Sequence, residues 1–199
     1  MISFAITGGI GSGKSYVSSL LEKRSIPIYN TDSEAKRLMV TDEQIRKEMI
    51  DLLGKDVYQS DGSINKILLA GYLFADEKNA ARVNAIVHPR VKADFYRWKE
   101  GLKDVPVVGM ECAILFESGF DDTIDRIVMV YAPLSLRLER AMKRDAATKE
   151  QVLARISAQM DDDEKCRKAD FIVYNDGSRP LNKQLDELLT HLKEGNIGQ

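Results

Sequence analysis

Short apolar segments alternate with longer amphipathic segments along most of the chain. Five of the apolar segments are rich in Val and Ile and lack regular polar alternation, which is typical of strands buried on both faces of a parallel sheet. We predict these strands at residues 2–6, 26–29, 105–110, 126–131 and 170–174. Because helical patterns separate them, the chain is predicted to adopt an α/β fold.

The amphipathic segments predict the helices that cover this sheet, since their apolar residues recur at intervals of three and four. The predicted helices span residues 14–24, 33–53, 79–102, 134–145, 149–160 and 180–194. We expect the second of them to be interrupted near Thr41 and Asp42, where a new N-cap signal appears. Pro89 lies inside the third, which we expect to kink or break just after His88.

The segment between the second and third strands is longer than one crossover connection needs. We therefore expect residues 1–199 to form a single domain in which about residues 33–104 are an inserted helical subdomain. Residues 195–199 are expected to fray.

Composition narrows the class of protein. The chain has 199 residues, 44% of them hydrophobic and 30% charged, which is ordinary for a globular domain with an adequate core. Lys and Arg number 29 against 31 Asp and Glu, a formal net charge of −2. This balance argues against broad binding to nucleic acid or membrane surfaces. No run of 18 apolar residues is present, so no membrane span is predicted.

The cysteines and histidines are few and scattered. Cys112 and Cys166 form no C-x-x-C pair, and His88 and His191 form no H-E-x-x-H motif, so a zinc site is not expected. Two lone cysteines favour a reduced, cytoplasmic protein, and the first strand leads straight to Gly8 without room for a signal peptide. A lone His88 on its own indicates a structural or surface residue.

The strongest chemical signal follows the first predicted strand. Residues 8–15 match the phosphate-binding pattern G-x-x-x-x-G-K-[ST] between a strand and a helix. Glycines let successive backbone amides point at one anion. Lys14 would then reach the β- and γ-phosphates of ATP, and the Ser15 hydroxyl would bind Mg²⁺. The residues expected to bind phosphate are Gly8, Gly9, Gly11, Ser12, Gly13, Lys14 and Ser15.

Three acidic residues follow predicted strands. Asp32 comes after the second strand and is expected near the phosphate loop, because ligands of open parallel sheets bind beyond the strand ends. It can orient an acceptor hydroxyl or help hold Mg²⁺, or it can cap the helix starting near Ser33. Glu111, after the third strand, is the candidate Mg²⁺-side carboxylate, with a partly exposed strand-end acid as the alternative. Glu117 can equally be a solvated helix start.

Three arginines lie on one face of a predicted helix. Arg137, Arg140 and Arg144 are spaced three and four apart. Arginines suit the charge neutralisation that phosphoryl transfer requires. The alternative is a solvated basic face paired with Glu139 or Asp145.

Together these motifs resemble the dephospho-CoA kinase family. Residues 7–15 match the family opening T-G-G-I-G-S-G-K-[ST], and His88 and Pro89 match its H-P pair. Residues 111–117 are similar to D-x-P-L-L-F-E, and residues 140–145 to R-x-x-x-R-D. The later pattern R-x-x-x-Q, K-x-x-x-A-D-x-x-[IV]-x-N-x-G is matched by Arg155, Gln159, Lys165, Ala169, Asp170, Asn175 and Gly177. The resemblance spans residue 3 to about residue 178.

The chain departs from the family pattern at a few positions. Asn30 replaces the first acid of D-A-D, which leaves Asp32 as the remaining acid of that motif. Glu111 and Ala113 replace an Asp and a Pro, and Tyr16 replaces a frequent Thr. None of these changes removes a group assigned to phosphate binding.

The resemblance implies a P-loop kinase-like three-layer fold with a five-stranded parallel sheet, an acceptor-binding insert and a lid over about residues 134–168. It implies ATP-dependent phosphorylation of the ribose 3′-hydroxyl of dephospho-CoA to give CoA and ADP, the last step of coenzyme A biosynthesis. Mg²⁺ would assist this transfer.

The resemblance also implies roles for particular residues. The catalytic residues would be Asp32, Lys14 and Arg140, with Asp32 facing the acceptor hydroxyl. Nucleotide binding would add Tyr16, Arg144, Asn175 and Gly177 to the phosphate loop. Acceptor binding would involve Asp32, His88, Pro89, Phe116 and Glu117, and Mg²⁺ would be held by Ser15 and Glu111.

Two other classes of protein share the phosphate loop. Another small-molecule or nucleoside monophosphate kinase is the first, but the insert and residues 115–117 favour dephospho-CoA. A GTP-binding switch is the second, and it needs N-K-x-D; residues 182–185 read N-K-Q-L, and no D-x-x-G follows a strand. The sequence does not predict an oligomeric state.

Overall fold

The computed structural model describes residues 1–194, so the predicted fraying of residues 195–199 lies outside the described chain. Two compact units are present. The sheet unit contains Met1–Asn30 and the chain from Asp104 onward, and the helical unit is Thr31–Lys103. No helix within the described residues is long and apolar enough to cross a membrane. The order of elements is β1 (Ile2–Thr7), α1 (Lys14–Glu22), β2 (Ile28–Asn30), α2 (Thr31–Thr41), α3 (Glu43–Leu53), α4 (Lys66–Ala75), α5 (Glu77–Glu100), β3 (Val107–Glu111), β4 (Arg126–Tyr131), α6 (Leu134–Asp145), α7 (Lys149–Ser157), α8 (Asp162–Lys168), β5 (Phe171–Tyr174) and α9 (Leu181–Glu194).

The sheet unit is built on five parallel strands in the order β2-β3-β1-β4-β5. The central strand, β1, pairs with β3 on one side and β4 on the other. Phe4 and Ile6 of β1 are fully buried in one cluster with Val17 and Leu21 of α1 and Leu185 of α9. The predicted α/β fold with a five-stranded parallel sheet is therefore confirmed.

The carboxyl ends of the strands collect polar residues at one edge of the sheet. The register aligns Ile6 of β1 with Glu111 of β3, which also stands opposite Asn30 of β2. On the other side, Tyr131 of β4 pairs with Tyr174 of β5. Parallel pairing thus brings the residues that follow β1, β3 and β5 to the same edge.

Proline sets two of the strand boundaries. The strand predicted from Ile26 begins only at Ile28, and the strand predicted from residue 105 begins at Val107. A proline cannot donate a ladder hydrogen bond. Pro27 and Pro106 precede these strands and act as acceptors, their carbonyls bonding the amides of Gly109 and Ile2 at 2.9 and 2.8 Å. By contrast, β4 and α6 have the bounds that the sequence predicted.

The helical unit contains α2 to α5. The predicted interruption at Thr41 and Asp42 is confirmed, because α2 ends at Thr41 and the Asp42 carboxylate accepts from the Ile45 amide at 2.9 Å as the N-cap of α3. Helix α4 was not predicted individually. Its residues 66–75 are apolar on nearly every face, so no helical periodicity marks them.

Of the kink or break predicted just after His88, the break is wrong, because α5 continues through Pro89 to Glu100, and the kink stays a prediction. Proline removes one backbone hydrogen bond and crowds the preceding turn. A buried stripe runs along both halves of the helix, and its packing holds the two halves in one element. The stripe consists of Val83, Val87, Val91 and Phe95.

Candidate active site

The phosphate loop connects β1 to α1, and its shape depends on glycine. Gly8, Gly11 and Gly13 have φ angles of 150°, 81° and 92°, a region that residues with a side chain rarely adopt. A Cβ atom at Gly11 would collide with the Arg137 backbone, and one at Gly13 with the Asn175 amide group. Both conformation and close neighbours therefore require glycine in this loop.

The loop ends in groups that attract an anion. Helix α1 begins at Lys14, and its N-cap, Gly13, supplies no side-chain acceptor for the first-turn amides. Such amides and the helix dipole favour a bound phosphate. The Lys14 ammonium lies over the loop and donates to the Gly8 carbonyl at 2.9 Å. The arrangement suits the phosphate chain of a nucleotide.

A hydroxyl and a carboxylate meet beside this loop. The Ser15 hydroxyl donates to Oε1 of Glu111 at 2.6 Å. Glu111 is only 8% exposed, so the alternative of a partly exposed strand-end acid is wrong. Among the residues whose side chains the structure describes, no group of three or more His, Cys, Asp or Glu is placed to hold a metal ion. The pair fits Mg²⁺, which takes one or two carboxylates and completes its shell with phosphate and water.

Arg137 is buried against the phosphate loop. Its Nε donates to the Ile10 carbonyl at 3.0 Å, and its Nη1 pairs with Asp162 of α8. A Cβ atom at Gly9 would collide with this ion pair. Only 5% of Arg137 is exposed, so the predicted alternative of a solvated basic face is wrong for this residue.

Arg140 and Asn175 form a second connection to the loop. Arg140 Nη1 donates to the Asn175 carbonyl at 3.0 Å, and Asn175 Nδ2 donates to the Ser12 carbonyl at 2.8 Å. Ser12 is fully buried, and its carbonyl is held by this bond to Asn175. Arg140, predicted to be catalytic, and Asn175, predicted to bind nucleotide, thus lie together at the phosphate loop.

Arg144 lies elsewhere, on the exposed end of α6. It donates to both carboxylate oxygens of Asp145, at 2.7 and 2.9 Å. Arg155 donates to the same carboxylate at 2.7 Å. Hydrogen bonds from Arg144 and Arg155 hold the pKa of Asp145 well below its usual range. The predicted pairing of this arginine face with Asp145 is therefore observed for Arg144.

The turn after β3 contacts the segment around α8. Glu117 Oε1 accepts from the Met160 amide at 2.7 Å and lies 3.4 Å from Lys165 Nζ. The alternative of a solvated helix start is wrong for Glu117, since residues 112–120 form turns rather than a helix. The neighbouring Phe116 has the Lys168 ammonium 5.5 Å from its ring centre.

Sequence reasoning missed the role of Lys165, whose side chain is 0% exposed. It lies in a segment rich in Asp, Glu, Lys and Arg that is indistinguishable from a solvated helix start. The only signal was its place in the family pattern. Two other predicted residues, Tyr16 and Gly177, are exposed on the sheet unit.

The remaining candidates belong to the helical unit. Asp32 is exposed within the first turn of α2, which already begins at Thr31. It is therefore not the cap of a helix starting near Ser33. His88 is half-buried in the middle of α5, where burial lowers the pKa of its imidazole, and Pro89 beside it is exposed.

These features define a P-loop kinase-like α/β protein. A central strand leads into a G-x-x-x-x-G-K-[ST] loop, and a hydroxyl–carboxylate pair and arginines gather at that loop. The match to the family model for dephospho-CoA kinase covers residues 2–180. The chain belongs to the dephospho-CoA kinase family.

Individual relatives agree with this assignment. A Bacteroides fragilis protein named dephospho-CoA kinase is 53% identical over 191 residues, which are 96% of this chain and 93% of that one. A dephospho-CoA kinase from Listeria innocua is 34% identical and covers 96% of both chains. A crystal structure from Thermus thermophilus superposes with a TM-score of 0.82 at 32% identity, covering 99% of this chain and 98% of its own. The resemblance predicted from sequence is confirmed.

Proposed function

We propose that this protein transfers the γ-phosphoryl group of ATP to the ribose 3′-hydroxyl of dephospho-CoA, giving CoA and ADP in the last step of coenzyme A biosynthesis. Family membership supports the reaction and the acceptor. The observation that carries the proposal is the Ser15–Glu111 hydrogen bond of 2.6 Å beside a glycine loop that ends in Lys14. This is the donor set that a nucleotide triphosphate with Mg²⁺ requires.

The phosphate loop would hold the donor. Its amides and the start of α1 face the β- and γ-phosphates, and Lys14 would leave the Gly8 carbonyl to bind them. Phosphoryl transfer depends on positioning and on neutralising charge. Arg140 stands one hydrogen bond from Asn175, so both can reach the nucleotide from the same side. Tyr16 and Gly177, both exposed, would complete the nucleotide site.

Ser15 and Glu111 would hold Mg²⁺. The ion that they hold would help to neutralise the charge that develops during phosphoryl transfer. Glu111 would need little movement to bind the ion, because β3 fixes its backbone between β1 and β2. Its substitution for the Asp of the family pattern keeps the carboxylate and lengthens the side chain by one methylene.

Asp32 would orient the acceptor. It follows Asn30, the last residue of β2, by two positions, and ligands bind beyond the strand ends of such sheets. Its exposed carboxylate would accept the hydrogen bond of the ribose 3′-hydroxyl and later take the proton. His88, Pro89, Phe116 and Glu117 would bind the rest of the acceptor, as the family pattern implies.

The lid over about residues 134–168 would close on bound ATP. Arg137, Arg140 and Gln159 already contact the phosphate loop or Asn175. The part that moves would therefore lie between Arg140 and Gln159, where Arg144 is exposed. Hydrogen exchange with an ATP analogue and dephospho-CoA should show added protection there. Unchanged exchange would instead indicate a permanently solvated face.

A coupled assay of ADP formation tests the reaction. We expect turnover with ATP to depend on dephospho-CoA and to exceed that with AMP or shikimate by about 100-fold or more in kcat/KM. The same assay with GTP in place of ATP compares the two nucleotides as phosphoryl donors. Faster turnover with AMP would assign the protein to nucleotide kinases, and GTP hydrolysis without any acceptor would point to a switch protein.

A further inference from the structure

We infer that Gln159 and Lys165 are positioning residues that hold the phosphate loop in its phosphate-binding shape, acting through Ile10 and Glu117. This inference rests on the proposed use of the loop for ATP. It concerns the linker between α7 and α8, residues 158–161, which contributes no group to the reaction proposed above.

Both backbone groups of Ile10 are held by side chains from distant segments. The Ile10 amide donates to Gln159 Oε1 at 3.3 Å, and the Ile10 carbonyl accepts from Arg137 Nε at 3.0 Å. Ile10 lies between Gly9 and Gly11, which have no side chains to stiffen the loop. The orientation of its peptide groups therefore depends on Gln159 and Arg137.

The linker that carries Gln159 is itself anchored. The next residue, Met160, donates its amide to Glu117 Oε1 at 2.7 Å. This bond joins the linker to the turn after β3, so it holds the linker against another part of the sheet unit. A shift of Met160 would move Gln159 and loosen its bond to Ile10.

Lys165 keeps Glu117 in place. Its side chain is fully buried, with Nζ 3.4 Å from Glu117 Oε1 and 3.4 Å from the Ala113 carbonyl. A buried ammonium is costly without such partners. Burial lowers the pKa of Lys165, and Glu117 acts against that shift. The ion pair and the Met160 bond share one carboxylate oxygen, so losing Lys165 affects both.

Contacts therefore run in one chain from Lys165 through Glu117 and Met160 to Gln159 and Ile10. A merely structural role would lower thermal stability and leave substrate affinities unchanged. A positioning role weakens ATP binding selectively, because the end of this chain of contacts is the phosphate loop.

Gln159→Leu and Lys165→Met in the full-length protein test this, with Arg167→Met as the matched control, since Arg167 is exposed on the same helix as Lys165. We expect KM for ATP and the Kd of a non-hydrolysable ATP analogue to rise about fivefold in Q159L, the usual effect of one hydrogen bond. For K165M we expect about tenfold or more. In Q159L the KM for dephospho-CoA should change less than twofold by the same reasoning, and Lys165→Arg should restore part of the ATP affinity that K165M loses.

Unchanged ATP affinity in Q159L, or a lower melting temperature in K165M with both KM values unchanged, would overturn the inference. A rise in KM for dephospho-CoA without weaker ATP binding would also overturn it, since these contacts would then serve only the acceptor, to which Glu117 is also assigned. Gln159 is only half-buried, so Q159L keeps the test decisive if K165M does not fold. The analogue Kd does not need an acceptor, so it tests the loop even if dephospho-CoA proves not to be the substrate.

Discussion

The two units of the molecule hold their candidate residues in different ways. In the sheet unit these residues bond to one another, as Ser15 does to Glu111 and Arg140 to Asn175. In the helical unit Asp32 and His88 lie on separate helices, α2 and α5. The proposed phosphate site would thus be preorganised by bonds within the protein, whereas the proposed acceptor residues of the helical unit come from two separate helices.

A cavity in the helical unit strengthens this contrast. It has a volume of about 710 Å³ and is lined by apolar and polar residues alike, with Lys36 and Lys66 among the polar ones. Neither Asp32 nor His88 lines it. The cavity of the helical unit therefore could not be predicted from a short motif. In the sheet unit, by contrast, the phosphate-loop motif identifies most of the candidate site.

The largest expected effect is in the sheet unit. Lys14→Ala should reduce turnover by about 10³-fold, because the variant loses a cation aimed at the charge that develops in the transition state. The fold should persist, since the Lys14 ammonium donates to the Gly8 carbonyl within its own loop. Steady-state kinetics and circular dichroism measure the two quantities. Lys23→Ala, at the exposed other end of α1, is the control, and near-normal turnover in K14A would refute the assignment of the loop.

A comparable effect in the helical unit would come from Asp32. Asp32→Asn keeps the shape but loses the charge, so we expect kcat to fall on the order of 10²-fold, the scale of a positioned acid–base group. ATP affinity should change little, because the loop is untouched. Asp51→Asn, exposed on α3, controls for the loss of one surface charge. Wild-type kcat with a slightly altered melting temperature would mean that Asp32 serves only the start of α2.

A smaller effect is expected from the metal-side carboxylate. Glu111→Gln retains a partner for the Ser15 hydroxyl but weakens Mg²⁺ binding, so the Mg²⁺ concentration for half-maximal rate should rise about tenfold. Titration of the rate with Mg²⁺ at saturating ATP measures this midpoint. Glu22→Gln, exposed on α1, is the control. An unchanged midpoint would remove Glu111 from the metal site.

The smallest effect concerns stability in the helical unit. Burial lowers the pKa of His88, so the unfolded chain takes up a proton first as the pH falls below about 6.5. Stability is therefore full above that pH and declines on acidification. Urea unfolding between about pH 8 and pH 5 measures how steeply the free energy of unfolding falls with pH. In His88→Gln this slope should be smaller than in the wild type. His191→Gln, exposed in the sheet unit, should keep it, and identical slopes in all three proteins would contradict the prediction.

Local spacing was enough to predict the sheet unit's main features. The G-x-x-x-x-G-K-[ST] motif identifies a loop whose function depends on backbone geometry, and that geometry is encoded by adjacent glycines. The place of Glu111 at a strand end was also predictable. Its bond to Ser15 was not, because that bond depends on the register between β1 and β3.

The three arginines of α6 show the limit of such reasoning. Their spacing correctly placed Arg137, Arg140 and Arg144 on one helix, yet one is buried, one half-buried and one exposed. Spacing determines the face of a helix but not which segment packs on it. Burial of Arg137 results from Asp162, which arrives from a different helix. Lys165 was missed for the same reason.

The central position of β1 has a consequence for the order of events during biosynthesis. β1 leaves the ribosome before the other strands of the sheet, but its pairing partners are Val107–Glu111 and Arg126–Tyr131. The strand that carries the phosphate loop therefore cannot pair into a sheet until more than half of these residues have been translated. The helical unit, whose contacts lie between residues 31 and 103, can fold before that point. During synthesis the unit assigned to the acceptor would thus be complete while the nucleotide site is still unformed.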